Sequence, residues 1–338
     1  MEPATAEHPK TPAELYTHLS QLGDPRTYNV ESCTGFVEMI QEINVLKEER
    51  NAVVLAHNYQ RPEIFEVADF IGDSLELARQ ATRVEADVIV FCGVHFMAET
   101  AKILNPGKTV LLPDLRAGCS LADSVTADAL ADRKEELKAI YPDLAVVAYV
   151  NTTADVKAES DACCTSSNAR KIVQNLLSQH ILFVPDQNLA HYVQQGTDKL
   201  IIAWDGNCYV HHQITAEQIL NVKRSLPNAK IVVHPECRAD ILALADAVLS
   251  TSGMITYAKQ SSSTEFVIVT ECGLSDRLHL EVPEKQFYKA CKLCQYMKMI
   301  TLEGTLESLR SMRHEITLPE DIRQRAEKSL LKMFELGA

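Results

Sequence analysis

From Asn51 onward, short apolar, β-branched runs alternate with helical stretches: Ala52 to Ala56 (AVVLA), a helix around Leu75 to Arg79, then Asp87 to Phe91 (DVIVF). Strands that read as unbroken apolar runs are buried on both faces, so this alternation predicts parallel sheets covered by helices. Residues 1 to about 30 are polar, with a helix start at Thr11-Pro12-Ala13-Glu14, where the proline takes the first helical position and the Glu lies three after the Thr. At the other end, Thr317-Leu-Pro-Glu-Asp opens a helix. Ile322, Ala326, Leu330 and Phe334 there form one apolar stripe, the mark of a helix docked on a body.

An internal repeat changes this picture most. VVLAHNY (53–59), VVAYVNT (146–152) and IVVHPEC (231–237) overlay as strands ending in polar residues. With His57, Tyr149 and His234 as equivalent points, the residue 17 further on is Ser74, Ser166 or Thr251, each opening a plausible helix. At 36 residues lie Gly93, Pro185 and Thr270, each at the end of the next apolar run. Some 59 to 62 residues on lie Cys119, Cys208 and Cys294. A shared fold explains the hydroxyls about as well as function does, since helix starts favour them. It does not explain a cysteine closing every repeat.

The length of 338 residues alone would allow two domains; the repeat raises that to three. With Lys+Arg 33 against Asp+Glu 46, the net charge of −13 disfavours nucleic acid and anionic membrane surfaces as partners. No apolar run is long enough to span a bilayer, and the first residues carry no secretory signal. Ten cysteines spread over the chain without an export signal point to a reducing compartment, the cytoplasm, and so to thiolates as ligands or nucleophiles.

In doubly wound sheets, ligands bind outside the carboxyl ends of the strands, and residues i and i+2 point the same way. Each repeat therefore offers a pair there: His57 with Tyr59, Tyr149 with Asn151, His234 with Glu236. Ser74, Ser166 and Thr251 would add helix starts suited to carboxylate or phosphate. A small substrate with more than one acidic group is the natural occupant. His211, three residues after Cys208, would face the same cavity.

Cys33, Cys92, Cys163, Cys164, Cys237 and Cys272 lie off the repeat register and read as buried structural thiols. Cys119, Cys208 and Cys294 are in register, with Gly118 and Gly206 permitting tight turns beside two of them. Three thiolates could hold zinc, although structural zinc normally wants a fourth protein ligand. They also suit a [4Fe–4S] cluster with one iron left open, a Lewis acid for hydroxyl or carbonyl oxygens. A third possibility is thiol–disulfide exchange by the Cys291-Lys-Leu-Cys294 pair.

The residues closely resemble the quinolinate synthase family. The matching elements are AHNYQ with GDSLELAR, GVHFMAETAKIL, DLRAGCSLADS, YVNTTADVKAESDACCTSSNA, PDQNLAHYV, WDGNCYVH, HPEC, STSGM, TECG and CKLCQYMKM, in order over residues 45 to 303. The resemblance implies an α/β fold of three pseudo-threefold-related αβα, Rossmann-like domains with parallel sheets around a central active site. The expected division is an arm over 1–40, domains over 41–125, 126–215 and 216–300, and a C-terminal helical segment, 301–338, packed on the first. It implies a transferase that condenses iminoaspartate with dihydroxyacetone phosphate to quinolinate, releasing phosphate and two waters, for NAD synthesis. Functional coupling to an L-aspartate oxidase or aspartate dehydrogenase would follow. The family's [4Fe–4S] ligands fall on Cys119, Cys208 and Cys294. Its substrate contacts fall on His57, Tyr59, Ser74, Tyr149, Asn151, Ser166, His211, His234, Glu236, Ser250 and Thr251. Glu236, His234, Tyr59 and His57 are the expected catalytic groups. Some relatives carry C-x-x-C-x-x-C near the C-terminus; here its first position is not Cys, which weakens any regulatory disulfide within that run but keeps the ligand. The alternative from another class is a non-catalytic protein that clamps a small diacid, with a three-cysteine zinc site as a staple.

Overall fold

The apolar runs form twelve strands in three four-stranded parallel sheets, seen in a computed structural model that describes residues 11–337. Expectations for residues 1–10 of the arm lie outside the described residues. The first sheet holds β1 (Ala52–His57), β2 (Phe70–Gly72), β3 (Val88–Cys92) and β4 (Thr109–Leu111). The second holds β5 (Ala145–Tyr149), β6 (Ala162–Cys164), β7 (His180–Val184) and β8 (Leu200–Ala203). The third holds β9 (Lys230–Val233), β10 (Ala247–Val248), β11 (Glu265–Val269) and β12 (Gln286–Lys289). Their orders, β2-β1-β3-β4, β6-β5-β7-β8 and β10-β9-β11-β12, are one topology repeated three times.

The repeat extends to the register. Ala52 faces Val88, Ala145 faces Ile181 and Lys230 faces Phe266, while Leu55 faces Phe70, Val147 faces Ala162 and Val232 faces Ala247. One carboxylate pins each register at the residue before the second strand. Asp69 Oδ2 accepts the Val54 N–H at 2.7 Å, Asp161 Oδ2 accepts Val146 at 2.7 Å, and Asp246 Oδ2 accepts Ile231 at 2.9 Å. Each Asp N–H returns a bond to the carbonyl of the same partner, so a slip of one residue would break both.

Strand residues divide between faces with period two, and the third sheet shows it most clearly. Val232, Phe266 and Ile268 join a core continuous with the first two sheets, whereas Ile231, Val233, Val267 and Val269 pack in a separate cluster with Ile219, Cys237 and Ile241. Among the described residues no helix is long and apolar enough to cross a membrane.

The helix Pro12–Leu19 starts at the predicted capping box of Thr11 and Glu14. The next long helix, Val30–Glu49, runs across residue 40, so the arm and the first unit share an element. The C-terminal segment expected on the first unit divides. Helix Leu302–Ser311 lies against Val30–Glu49 and β3, whereas Glu320–Leu336 packs mainly on helix Ala154–Ala158 and β6 of the second unit. Small residues permit that second approach: Ala326 and Ser329 are buried, and Ser329 Oγ donates to Lys157 O at 2.8 Å.

Ser74 and Thr251 open their helices as expected, as the first helical residues; the capping side chains are Asp73, which accepts from Leu75 and Glu76 N–H, and Ser250, which accepts from Gly253 N–H. Two local expectations are corrected. Ser166 sits in the turn ahead of helix Ala169–Asn175, which Asn168 precedes. Cys272 is not a free buried thiol but is disulfide-bonded to Cys291. The two are 19 residues apart in sequence, but Glu271 and Lys292 bridge in parallel, which places their neighbours with Cα atoms 5.2 Å apart.

Candidate active site

The carboxyl ends of the central strands from all three sheets open on one shared cavity. His57 ends β1, Tyr149 ends β5 and His234 follows β9. Each is lined up there with its i+2 partner, Tyr59, Asn151 or Glu236. Ser74, Ser166, Thr251 and His211 also line the wall, as do Cys119, Cys208 and Cys294. Ser250 stands behind the wall, its hydroxyl donating to Asp73 Oδ2 at 3.2 Å.

Two strand ends repeat one side-chain geometry. The Tyr59 N–H donates to His57 Nδ1 at 3.2 Å, and the Glu236 N–H donates to His234 Nδ1 at 3.4 Å. With Nδ1 accepting, each neutral ring carries its proton on Nε2. Burial pushes His57 and His234 down to about 3, with cationic neighbours Arg277 and Lys298 adding to the effect at His57. Both are therefore neutral donors at any ordinary pH. The His234 ring stacks on His211 with centroids 4.5 Å apart.

Glu236 is the buried charge of the site. Burial pushes its carboxyl up, but His211 and His234 beside it, with bonds from His211 and Tyr149, outweigh burial and hold it down at about 2. Its Oε1 accepts from Tyr149 OH at 2.5 Å and its Oε2 meets His211 Nδ1 at 2.9 Å. His211 Nε2 lies 2.8 Å from Thr270 Oγ1, which lies 2.6 Å from Tyr59 OH. With His211 Nδ1 donating and Nε2 accepting, these groups form a continuous path for a proton from Tyr59 through Thr270 and His211 to Glu236. The path crosses all three units.

Thr270 is the link that the sequence reading marked as a strand end but did not assign to the site. Thr270→Val removes the one hydroxyl between Tyr59 and His211 at nearly constant volume. The expected result is a kcat about 10- to 100-fold lower, the size of one lost buried hydrogen bond, with KM little changed and Thr270→Ser close to the original. Steady-state kinetics of the three proteins checks this; an unchanged kcat for the valine variant would refute the path.

Asn151 supplies a different signal. Its Oδ1 is buried without a hydrogen-bond partner among the described residues, on a residue that lines the cavity, where a ligand donor would satisfy it. Asp73, Thr165 and Glu271 line the cavity too and were not singled out from sequence. In the structure Asp73 and Glu271 are both helix N-caps.

The cysteines form the remaining wall. Burial pushes the Cys119 thiol up to about 12, and pushes Cys208 and Cys294 up as well, so thiolates at these positions require a compensating cation. Backbone N–H groups of Leu121 and Ala122 point to Cys119 Sγ, and those of Tyr296 and Met297 to Cys294 Sγ. The free thiols Cys33, Cys92, Cys163, Cys164 and Cys237 are buried away from the cavity. Cys291, bonded to Cys272, cannot act as the partner of Cys294, so thiol–disulfide exchange within that pair is not what the structure presents. Ligand atoms of Cys208, His211 and Glu236 lie within 4.8 Å of one another, close enough to hold a metal ion.

Comparison with known proteins adds to this geometry. Residues 41–335 match the family described as "NadA: Quinolinate synthetase A protein". The chain is 53% identical over 300 residues to a protein of Thermodesulfovibrio yellowstonii named quinolinate synthase, covering 88% of this chain and 98% of that one. It is 51% identical over 299 residues to the quinolinate synthase of Methanosarcina barkeri, 88% and 97% of the two chains. It is 52% identical over 304 residues to that of Dehalococcoides mccartyi, 89% and 99%.

Proposed function

Because this chain belongs to the quinolinate synthetase A protein family, and so is an enzyme acting on small molecules, we propose that it condenses iminoaspartate with dihydroxyacetone phosphate. The products are quinolinate, phosphate and two waters, and the reaction serves NAD synthesis. The observation that carries this reading is the meeting of one cysteine from each of three repeated units with two neutral histidines, two tyrosines and a buried carboxylate in one cavity.

Cys119, Cys208 and Cys294 suit a [4Fe–4S] cluster. They are the only cysteines lining the cavity among the described residues, they come from separate loops, and two of them have N–H donors for sulfur. When bound, the cluster supplies one iron with a free position, a Lewis acid for substrate oxygens. The protein does the rest. His57 and His234 offer Nε2–H donors to oxygens that gain negative charge, without adding a positive charge that would trap an anionic product. Ser74, Ser166, Thr251 and Asn151 face the two carboxylates of the aspartate-derived substrate and the phosphate of the other. Glu236 takes protons directly or along the path through His211 and Thr270, and Tyr59 and Tyr149 deliver them at its two ends.

A zinc ion on Cys208, His211 and Glu236 is the competing use of the same donors. Both ring nitrogens of His211 and both oxygens of Glu236 already have protein partners, which favours the hydrogen-bonded use. Anaerobically purified protein tests the reading. Brown protein with about four iron and four sulfide per chain, forming quinolinate from the two substrates, supports it. Colourless zinc-containing protein that makes no quinolinate overturns it.

A further inference from the structure

The three units repeat at their cysteine loops as well as at their strand ends. After each third strand a helix begins, and its first N–H meets the carbonyl two residues before the cysteine. These bonds are His95 to Ala117 at 2.7 Å, Gln187 to Gly206 at 2.8 Å and Cys272 to Lys292 at 3.2 Å. Gly206 suits this close docking, because a Cβ there would lie 2.5 Å from Pro185 O.

In two of the units the residue ahead of that helix adds a carboxylate. Asp186 Oδ1 accepts the Leu189 N–H of its helix at 2.8 Å, and its Oδ2 accepts the Cys208 N–H at 3.1 Å. Glu271 does the same with a longer side chain: Oε2 accepts Gly273 N–H at 2.6 Å and Oε1 accepts Cys294 N–H at 3.1 Å. Both side chains are fully buried. In the first unit this position is Val94, which has no oxygen to offer, and the Cys119 N–H finds no acceptor among the described residues.

A carboxylate that only caps a helix needs one oxygen for it and leaves the other to solvent. Here the second oxygen is directed, in two units, at the same atom of the same repeated residue. Burying such a group behind a cysteine is costly unless it is bonded and a cation is near. Glu271 has the Lys298 ammonium 3.3 Å from Oε1; Asp186 has no cationic side chain as partner among the described residues.

We propose that Asp186 and Glu271 are positioning residues that lock the Cys208 and Cys294 loops in the geometry that presents their sulfurs, leaving the Cys119 N–H without such a lock. Their importance to the enzyme rests on the reading of the three cysteines as cluster ligands, but the locking itself does not depend on which metal they hold. Asparagine or glutamine keeps the shape and one acceptor oxygen, so one of the two bonds must be lost.

Site-resolved amide hydrogen exchange on the full-length, metal-free chain tests the locking. In the unsubstituted protein, the Cys208 and Cys294 amides are expected to exchange at least about tenfold more slowly than the Cys119 amide. Asp186→Asn should accelerate Cys208 about tenfold and leave Cys294 unchanged, and Glu271→Gln should do the reverse. After reconstitution with iron and sulfide, each variant should lose iron to a chelator several-fold faster than the unsubstituted chain. Equal exchange at all three cysteines, or variants that match the unsubstituted chain, would overturn the proposal. If a variant does not fold, the comparison within the unsubstituted chain still decides. A chain that takes up no iron at all refutes the cluster reading and leaves the exchange result standing.

Discussion

Cys208→Ala is expected to abolish both the iron content and quinolinate formation, lowering activity by at least about a thousandfold. Cys208 is one of only three cysteines on the cavity wall among the described residues. Its neighbours Glu236 and Asp186 are acidic, so its thiol is pushed far up by burial and then by those charges. A metal's positive charge is what makes a thiolate tolerable there. Alanine removes the ligand without adding bulk. The matched control is Cys237→Ala, a buried free thiol in the outer core of the third sheet, which should keep its iron. Iron and sulfide analysis with activity on the same anaerobic preparations distinguishes the two. A Cys208→Ala protein with a full cluster would remove this residue from the ligand set.

Glu236→Gln should lower kcat by about 10²- to 10⁴-fold, the range for loss of a positioned acid–base group, while iron content and fold survive. Glutamine fills the same volume, but its amide nitrogen faces either Tyr149 OH or His211 Nδ1, both of which the carboxylate receives as donors. The proton path then has no terminus. The pH profile supplies a second check. His57 and His234 are pushed down to about 3 and Glu236 is held at about 2. The histidines are already neutral, and Glu236 is already charged, well below pH 5. None of the three should therefore give an inflection in kcat/KM between pH 5 and 8. A full inflection near 6.5 that vanishes in His234→Gln would show that His234 titrates in the working enzyme.

The strands and their threefold repeat were legible because a buried parallel strand is written as an unbroken apolar run, and because the polar residue ending each run is conspicuous. The i+2 pairs followed from strand geometry alone. The residues that escaped notice share a physical reason. Asp186 and Glu271 occupy one repeated position, yet Asp, Glu and Val94 do not look alike in an overlay, and each acid reads as an ordinary cap. Asp69, Asp161 and Asp246 are identical in register, but a lone aspartate ahead of a strand is a common turn residue. The Cys272–Cys291 bond depends on β11 and β12 lying side by side, which spacing in one chain does not reveal. Ser250 does not line the wall; its hydroxyl is bonded to Asp73, which does.

The net charge of −13 opposes anionic substrates at long range. Attraction must therefore arise locally, from donors inside the cavity.

The proton path and the cavity cysteines draw on all three repeated units, one cysteine from each. Only the later part of each link between sheets, 127–144 and 213–229, takes no part in the wall, so the chemistry should be indifferent to the order in which the units are threaded. A circular permutant opened at 139–143, beyond Cys119 and ahead of β5, would lose nothing the reaction uses, provided the joined ends can span. A fragment lacking any one sheet would instead keep two thiols and a broken path. It would have no graded residual activity, because two ligands cannot hold what three hold.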